Sequence, residues 1–380
     1  MIERTPRDRR VFLTKCLAGA AVALPRDVSG DAAIQTAAPS PPAPPRSAPP
    51  AEQQLRTMLA GMALTQMLYV VARYGIAERL ESGARTAKDL AQAAGLHEGA
   101  LYRVLRCLAS QGVFREEPDR RFSQNAVSAL LVPTAAGSLH AQAVVRGEDF
   151  FWKAWGALRE SVRTGQTGFE VAYGENTFDW FAKNPDAARL FDAGQAAATT
   201  AAGAAIAEAY PFGEARLIVD VGGGNGALLR ALLSRHPAPA GLLFDLPHVV
   251  DAARAALAES LGARVRLTGG SFFDAVPAGG DLYVLKYILH DWEETRALAI
   301  LANLKRTMAP AARLLVIEDL ICAPNVPCAA KLIDVTMLAR TGGRNMTDDE
   351  YRDLLGRGGF KPLRTIRVQG DLALIEAAPG

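Results

Sequence analysis

The stretch Leu285-Lys286-Tyr287-Ile288-Leu289-His290-Asp291-Trp292 holds the side chain with the most specific chemistry in the sequence. His290 ends an apolar run that reads as a strand over 282–288. Imidazole titrates near ~6.5, so a histidine there can take up a proton as a general base. Glu318 closes the adjacent predicted strand, 313–319. Its carboxylate can hold the other ring nitrogen, fixing the tautomer and stabilising the imidazolium. The competing reading is structural, a histidine satisfied by its neighbours.

A second constellation lies upstream. Leu217-Ile218-Val219-Asp220-Val221 runs into Gly222, Gly224 and Gly226, and a helical run begins at Ala227. Strand, glycine turn and helix make a nucleotide-binding α/β unit, in which glycine permits sharp turning and close approach of a ligand. Gly222-x-Gly224-x-x-Ala227 satisfies the dinucleotide fingerprint, and Asp245 ends the next strand. An acid there suits a ribose diol, which belongs to NAD and equally to S-adenosylmethionine. Its alternative role is a helix cap before Pro247.

The elements that must position these residues follow from periodicity. Strands are predicted at 217–221, 241–246, 265–268, 282–288, 313–319, 363–368 and 372–377, and helices at 226–236, 248–261, 292–308 and 347–357. This alternation predicts an α/β domain over 213–380, a mostly parallel seven-stranded sheet covered on both faces. Ligands of such sheets collect at the carboxyl ends of the strands. Asp291 and Glu294 are expected to cap the helix after the fourth strand.

Residues 51–135 read differently. Leu55, Met58, Leu59, Met62 and Val71 recur at helical spacing, and Thr86 to Asp89 has the form of a capping box. Two short helices to Ala94 and from His97 to Ser110 precede a hairpin around residues 112–123, which describes a winged helix. Such a unit can bind DNA or join two subunits. Its second helix offers only Arg103 and Arg106 as outward cations, too few for a DNA reader. Residues 136–212 are read as connecting helices, their aromatics Trp152, Trp155, Phe178, Trp180, Phe181 and Phe191 either walling an apolar pocket or packing a core.

Bulk composition is that of a globular protein: 380 residues, 49% hydrophobic, 22% charged, net charge +2. Two domains are the natural prior at this length. Neither a nucleic-acid nor a membrane partner is indicated, and no apolar run approaches the ~18 residues that span a bilayer. The four cysteines have no metal-ligand spacing and read as inert thiols, so no metal is expected. Residues 1–50 hold Arg9-Arg10 before a mildly apolar run, like a twin-arginine export leader, and then a proline-rich linker.

Four spaced motifs now become specific. Asp220-Val-Gly-Gly-Gly-Asn-Gly226, Phe244-Asp-Leu-Pro-His-Val249, Leu285 to Trp292 and Gly342-Gly-Arg-Asn-Met-Thr347 resemble those of the cation-independent O-methyltransferases typified by plant caffeate O-methyltransferase, with bacterial relatives in secondary metabolism. The likeness runs in order from about residue 52 to 377. It implies a Rossmann-like domain holding S-adenosylmethionine and a winged-helix domain that builds a homodimer. By position, Gly222, Gly224, Gly226, Asp245, Leu246, Ser271, Phe272 and Lys286 would bind the cofactor. His290 would be the base, with Glu318 and Asn345 bracketing it. Trp155, Phe191, Gln195, Tyr287, Asp291 and Met337 would line the acceptor pocket.

Departures from the family pattern are local. Asn345 stands for a second glutamate and cannot neutralise an imidazolium. Ser271 stands where an acid is common, with Asp274 nearby. Gln195 and Ala198 differ from plant pocket residues, which does not support a plant phenylpropanoid acceptor. The implied activity is methylation of a hydroxyl, phenolic by preference, on a small aromatic or polyketide-type metabolite. The runner-up is a relative using the same cofactor for hydroxylation, decarboxylation or cyclisation. An NAD oxidoreductase leaves the His-Asp-Trp context unexplained, and a DNA-binding regulator explains only residues 86–123. Because the cofactor is made in the cytosol, the cytoplasm is expected despite the leader-like N-terminus.

Overall fold

The computed structural model describes residues 50–380, without the Ala198 side chain. The leader-like segment and most of the proline-rich linker therefore lie outside the described residues. The chain divides between Gly147 and Glu148 into two units.

The first unit contains α1 (Ala51–Arg73), β1 (Arg85–Thr86), α2 (Ala87–Ala94), α3 (Glu98–Ser110), β2 (Arg115–Glu117), β3 (Arg121–Ser123), α4 (Ala126–Ala129) and α5 (His140–Gly147). Thr86 caps α2, its hydroxyl accepting from Asp89 N–H, and Gly95 ends the helix in the left-handed conformation. Leu90, Leu101, Leu105, Leu108, Phe114 and Phe122 close one core. The hairpin is present, with β1 added to make a three-stranded sheet of order β1-β3-β2. A two-residue strand carries too little alternation to be visible in sequence. Helix α5 belongs with this unit because Gly147 lies against the Tyr69 ring, where a Cβ would come within 2.0 Å.

One apolar segment does reach bilayer length, contrary to the expectation that none approaches it. Helix α1 contains an 18-residue window of mean hydropathy 1.3, long and apolar enough by length and composition to cross a bilayer. Gly61, Thr65 and Gln66 break the run, so a search for uninterrupted apolar residues misses it. Leu55, Met58, Leu59 and Met62 are exposed along it.

The second unit opens with α6 (Asp149–Gly156), α7 (Leu158–Thr164), α8 (Gly168–Tyr173), α9 (Thr177–Lys183) and α10 (Pro185–Ala209). Then β4 (Leu217–Val221), α11 (Ala227–Arg235), β5 (Ala240–Asp245), α12 (Pro247–Leu261), β6 (Val265–Gly269), β7 (Leu282–Lys286), α13 (Glu294–Thr307), β8 (Arg313–Asp319), α14 (Ala329–Arg340), α15 (Asp348–Arg357), β9 (Phe360–Gln369) and β10 (Leu372–Pro379) follow. The sheet has order β6-β5-β4-β7-β8-β10-β9, with β10 antiparallel to both neighbours. The order reverses beside β4, which opens a crevice at its carboxyl end. Alternate strand residues serve two cores: Val219, Val221, Tyr283, Leu285, Leu314 and Val316 on one face, Ile218, Leu243, Leu282, Val284, Leu315 and Ile317 on the other.

Two local expectations change. Helix α14 is absent from the predicted elements, because its apolar residues spread around the helix, with Leu332 exposed while Ala330, Met337 and Ala339 are buried. Asp291 does not cap α13, whose N-cap is Glu293. Strand β7 ends at Lys286, and Tyr287 turns the chain with φ +55°. His290 and Asp291 then sit in a single 3-10 turn, Leu289–Asp291.

Candidate active site

The carboxyl ends of β4, β5 and β7 open into a cleft of about 280 Å³. Its floor is the glycine turn. Gly222, Gly224 and Gly226 have φ of +73°, +58° and +75°, a region where a side chain is strained. Gly222 and Gly224 line the cleft, and a Cβ on Gly222 would come within 2.4 Å of Ile288 Cδ1. Gly226 is not among the lining residues. A Cβ there would meet Leu257 at 2.7 Å, so this glycine serves helix packing.

Asp245 stands at the end of β5 and orders the turn, its Oδ2 accepting from Gly224 N–H at 2.8 Å and its Oδ1 from Leu246 N–H at 2.7 Å. It also lines the cleft, together with Leu246, Ser271 and Phe272. Asp274 is not among the lining residues. Its N–H donates to Ser271 O instead.

Acids dominate the cleft. Burial and the neighbouring Asp245 push Asp192 up to about 6 and Asp220 up to about 7, with Lys286 easing the second. Asp220 Oδ2 is buried with no hydrogen-bond partner. Burial lowers Lys286 to about 8 against the pull of Glu318, Asp220 and Asp319, and its Nζ donates to Thr199 Oγ1 at 3.0 Å. Mutually repelling carboxylates, one oxygen of Asp220 among them without a partner, favour a cationic ligand and disfavour an anionic pyrophosphate. A ribose diol at Asp245, a cationic group near Asp192 and Asp220, and an apolar ring against Phe272 and Ile288 fit S-adenosylmethionine and not NAD.

His290 lies behind the wall formed by Tyr287 and Asp291. It is 4% exposed, and the Tyr287 ring stacks on it at 5.4 Å and 5°. Its Nδ1 is 2.9 Å from Glu318 Oε2, while Nε2 is 3.8 Å from Asp291 Oδ1. Parallel pairing of β7 with β8 sets this contact, since Lys286 is in register with Ile317. Burial presses the imidazole down, but Glu318, by charge and hydrogen bond, with Asp291 and Asp319, carries it up to about 9. Tyr287 is fixed by its hydroxyl, which donates to Asp319 Oδ2 at 3.0 Å.

Of the predicted pocket residues, Phe191, Gln195, Tyr287 and Asp291 line the cleft, and Trp155 and Met337 do not. Met337 is buried in α14, its sulfur accepting from Thr341 Oγ1. Asn345 is buried and donates through Nδ2 to Asp319 O at 2.9 Å, so it braces the end of β8 and makes no bond to His290. Sequence reasoning missed Asp192 and Thr199, which share a face of α10 with Gln195 at i, i+3 and i+7. That spacing was the available signal. Trp292 was seen only as part of a motif, and it stacks on Phe178 at 4.8 Å to close the cleft.

The loop after α14 is moulded to this turn. A Cβ on Gly343 would lie 2.1 Å from His290 O and 2.5 Å from Trp292 N, both backbone atoms that cannot step aside. Gly343→Ala is therefore expected to cost roughly 2–4 kcal/mol in a urea unfolding series. A loss below roughly 0.5 kcal/mol would show that the loop is not packed on the His290 turn.

The sheet order, the glycine turn and the acid-lined cleft together define a methyltransferase fold that takes S-adenosylmethionine. The chain belongs to the O-methyltransferase family: residues 155–361 match the O-methyltransferase domain and residues 57–134 the O-methyltransferase dimerisation domain. It is 37% identical to phenazine O-methyltransferase PhzM of Lysobacter antibioticus, over 87% of this chain and 97% of that one. It is 33% identical to phenazine-1-carboxylate N-methyltransferase of Pseudomonas aeruginosa, over 86% and 97%. The crystal structure of LaPhzM superposes with a TM-score of 0.85 at 37% identity, covering 87% of this chain and all of that one. The protein is an enzyme, and S-adenosylmethionine is its cofactor.

Proposed function

We propose that this enzyme methylates a phenolic hydroxyl of a small aromatic metabolite, with His290 as the general base. The observation that carries this reading is the buried His290–Glu318 pair at 2.9 Å, which leaves Nε2 turned toward Asp291 at the cleft wall. The cofactor supplies a methyl group on a sulfonium, a leaving group that needs no further activation. A phenol near pKa ~10 is a poor nucleophile until its proton is removed. Because His290 stands behind the cleft wall, it takes that proton by way of Asp291, which lines the cleft and whose Oδ1 is 3.8 Å from Nε2, and Glu318 stabilises the resulting imidazolium from the other side. Phe178, Trp292 and Phe272 wall the site with apolar surface that keeps water from competing.

The pH dependence follows with a definite sign. A base works only when deprotonated, so kcat/KM of the free enzyme should rise with pH until about 9. Glu318→Gln removes the main upward influence and leaves burial in command, so the acid limb should move to lower pH while the plateau rate falls. A limb that stays in place would remove Glu318 from the account. By linkage, the pair adds stability below the unfolded value of 6.5 and loses it as pH rises through about 9.

N-methylation is the second reading, favoured by the Pseudomonas aeruginosa relative. A pyridine-type ring nitrogen has no proton to lose and an arylamine attacks through its lone pair before losing one, so a base at His290 would not be needed to make either a nucleophile. Aminophenol probes with methyl-labelled cofactor separate the two, since the label appears on oxygen or on nitrogen. We further infer a homodimer through the N-terminal unit, where Leu55, Met58, Leu59 and Met62 stand exposed on α1. The cytoplasm, where the cofactor is made, is the compartment this reading implies.

A further inference from the structure

Arg340, the last residue of α14, is charged, 5% exposed and incompletely bonded. Its Nε and Nη2 are buried with no hydrogen-bond partner. These two nitrogens share one edge of the planar guanidinium, the edge that grips a carboxylate through two parallel N–H···O bonds. An unpaired buried cation is costly, and structures retain one where a partner arrives later or a function requires it.

Arg340 is not itself among the residues that line the second unit's cleft, and it packs directly behind one that is. The guanidinium lies over the Phe191 ring at 4.5 Å and the Phe151 ring at 5.5 Å. Phe191 lines the cleft, and it stacks on Phe181, another lining residue, at 5.1 Å. Asp291, also on the cleft wall, acts on Arg340 through charge without forming a hydrogen bond. Asp291 is shared with His290, so it does not satisfy Arg340 alone. The two aromatic faces stabilise the cation and leave its donors open.

We propose that Arg340 recognises a carboxylate on the methyl acceptor, so that the preferred substrates are aromatic hydroxy acids. The acceptor ring packs against Phe191, its carboxylate takes the Nε–Nη2 edge, and its hydroxyl faces the His290 end. This rests on the reading of the cleft as the methyl-transfer site. The carboxylate supplies the two acceptors the guanidinium lacks, and the enzyme then discriminates against neutral analogues because they leave a buried charge unpaired.

Hydroxynaphthoates and hydroxybenzoates, each beside its methyl ester, provide the test. For the wild type, kcat/KM for the acids should exceed that for the esters by roughly 10- to 100-fold, mainly through KM. Arg340→Met should collapse that ratio toward one, and Arg340→Lys, which keeps the charge without the fork, should restore part of it. Equal losses for acid and ester in both variants would show a structural role and overturn the proposal. Calorimetric binding to the protein loaded with S-adenosylhomocysteine decides the matter if no probe is methylated. Tighter binding of acid than ester, lost in Arg340→Met, supports the carboxylate site while the phenol reading fails. Indifferent binding overturns it.

Discussion

His290→Asn is expected to lower kcat by ~10²–10⁴-fold while leaving the affinity for S-adenosylmethionine within about twofold. Asparagine keeps a polar amide beside Glu318 but has no basic nitrogen at the position of Nε2. It is a better test than alanine, which would strand the fully buried Glu318 carboxylate and risk unfolding the site. Cofactor affinity should hold because His290 is absent from the cleft lining and is screened by Tyr287. Phenols ionise unaided as pH approaches ~10, so the deficit should shrink at high pH. Undiminished turnover at neutral pH would remove His290 from the chemistry.

Asp245→Ala should have the opposite signature: an increase of roughly 10- to 100-fold in the Kd for S-adenosylmethionine, with kcat at saturation less affected. Two effects combine. The ribose loses its charged acceptor, and Gly224 and Leu246 lose the carboxylate that holds their N–H groups at 2.8 and 2.7 Å. The second effect loosens the glycine turn before any ligand arrives, so ordering the site becomes part of the binding cost. Titration calorimetry measures this directly, and a Kd within threefold of wild type would show that Asp245 is only a helix cap. Asp192→Asn makes a useful contrast. It removes a carboxylate that burial, and then the charge of Asp245, raises to about 6, and with it one acid of the cation-attracting wall.

Residues whose role follows from local chain geometry were legible in the sequence. The glycine turn, Asp245 and the seven strands are short-range patterns, and a mostly parallel sheet follows from alternation of strand and helix, whereas the strand order is visible only in the structure. His290 and Glu318 were also legible as a pair, since His290 lies just past the end of β7, Glu318 is the penultimate residue of β8, and those strands are neighbours. The depth of His290 was not legible. It depends on Tyr287 adopting φ +55° and folding its ring over the imidazole, which no period-2 pattern encodes.

Long-range packing hid the rest. Arg340 gains meaning only from Phe151 and Phe191 on two other helices, and α14 itself shows no clean apolar face. Met337 and Trp155 carry family positions but pack away from the cleft. Asn345 reads as a diluted catalytic acid in sequence, whereas its amide is used by the Asp319 carbonyl. Gly226 reads in sequence as part of the cofactor's glycine turn, yet its missing Cβ makes room for Leu257. In each case residue type was visible and direction was not.

The most direct test of the account is the fate of labelled methyl from S-adenosylmethionine on a panel of phenols and aminophenols at neutral pH, with wild type and His290→Asn compared side by side. The label should appear on a phenolic oxygen with the wild type, be nearly lost in the variant, and partly recover as pH rises. Label on nitrogen or carbon, or equal labelling by both proteins at neutral pH, would contradict it.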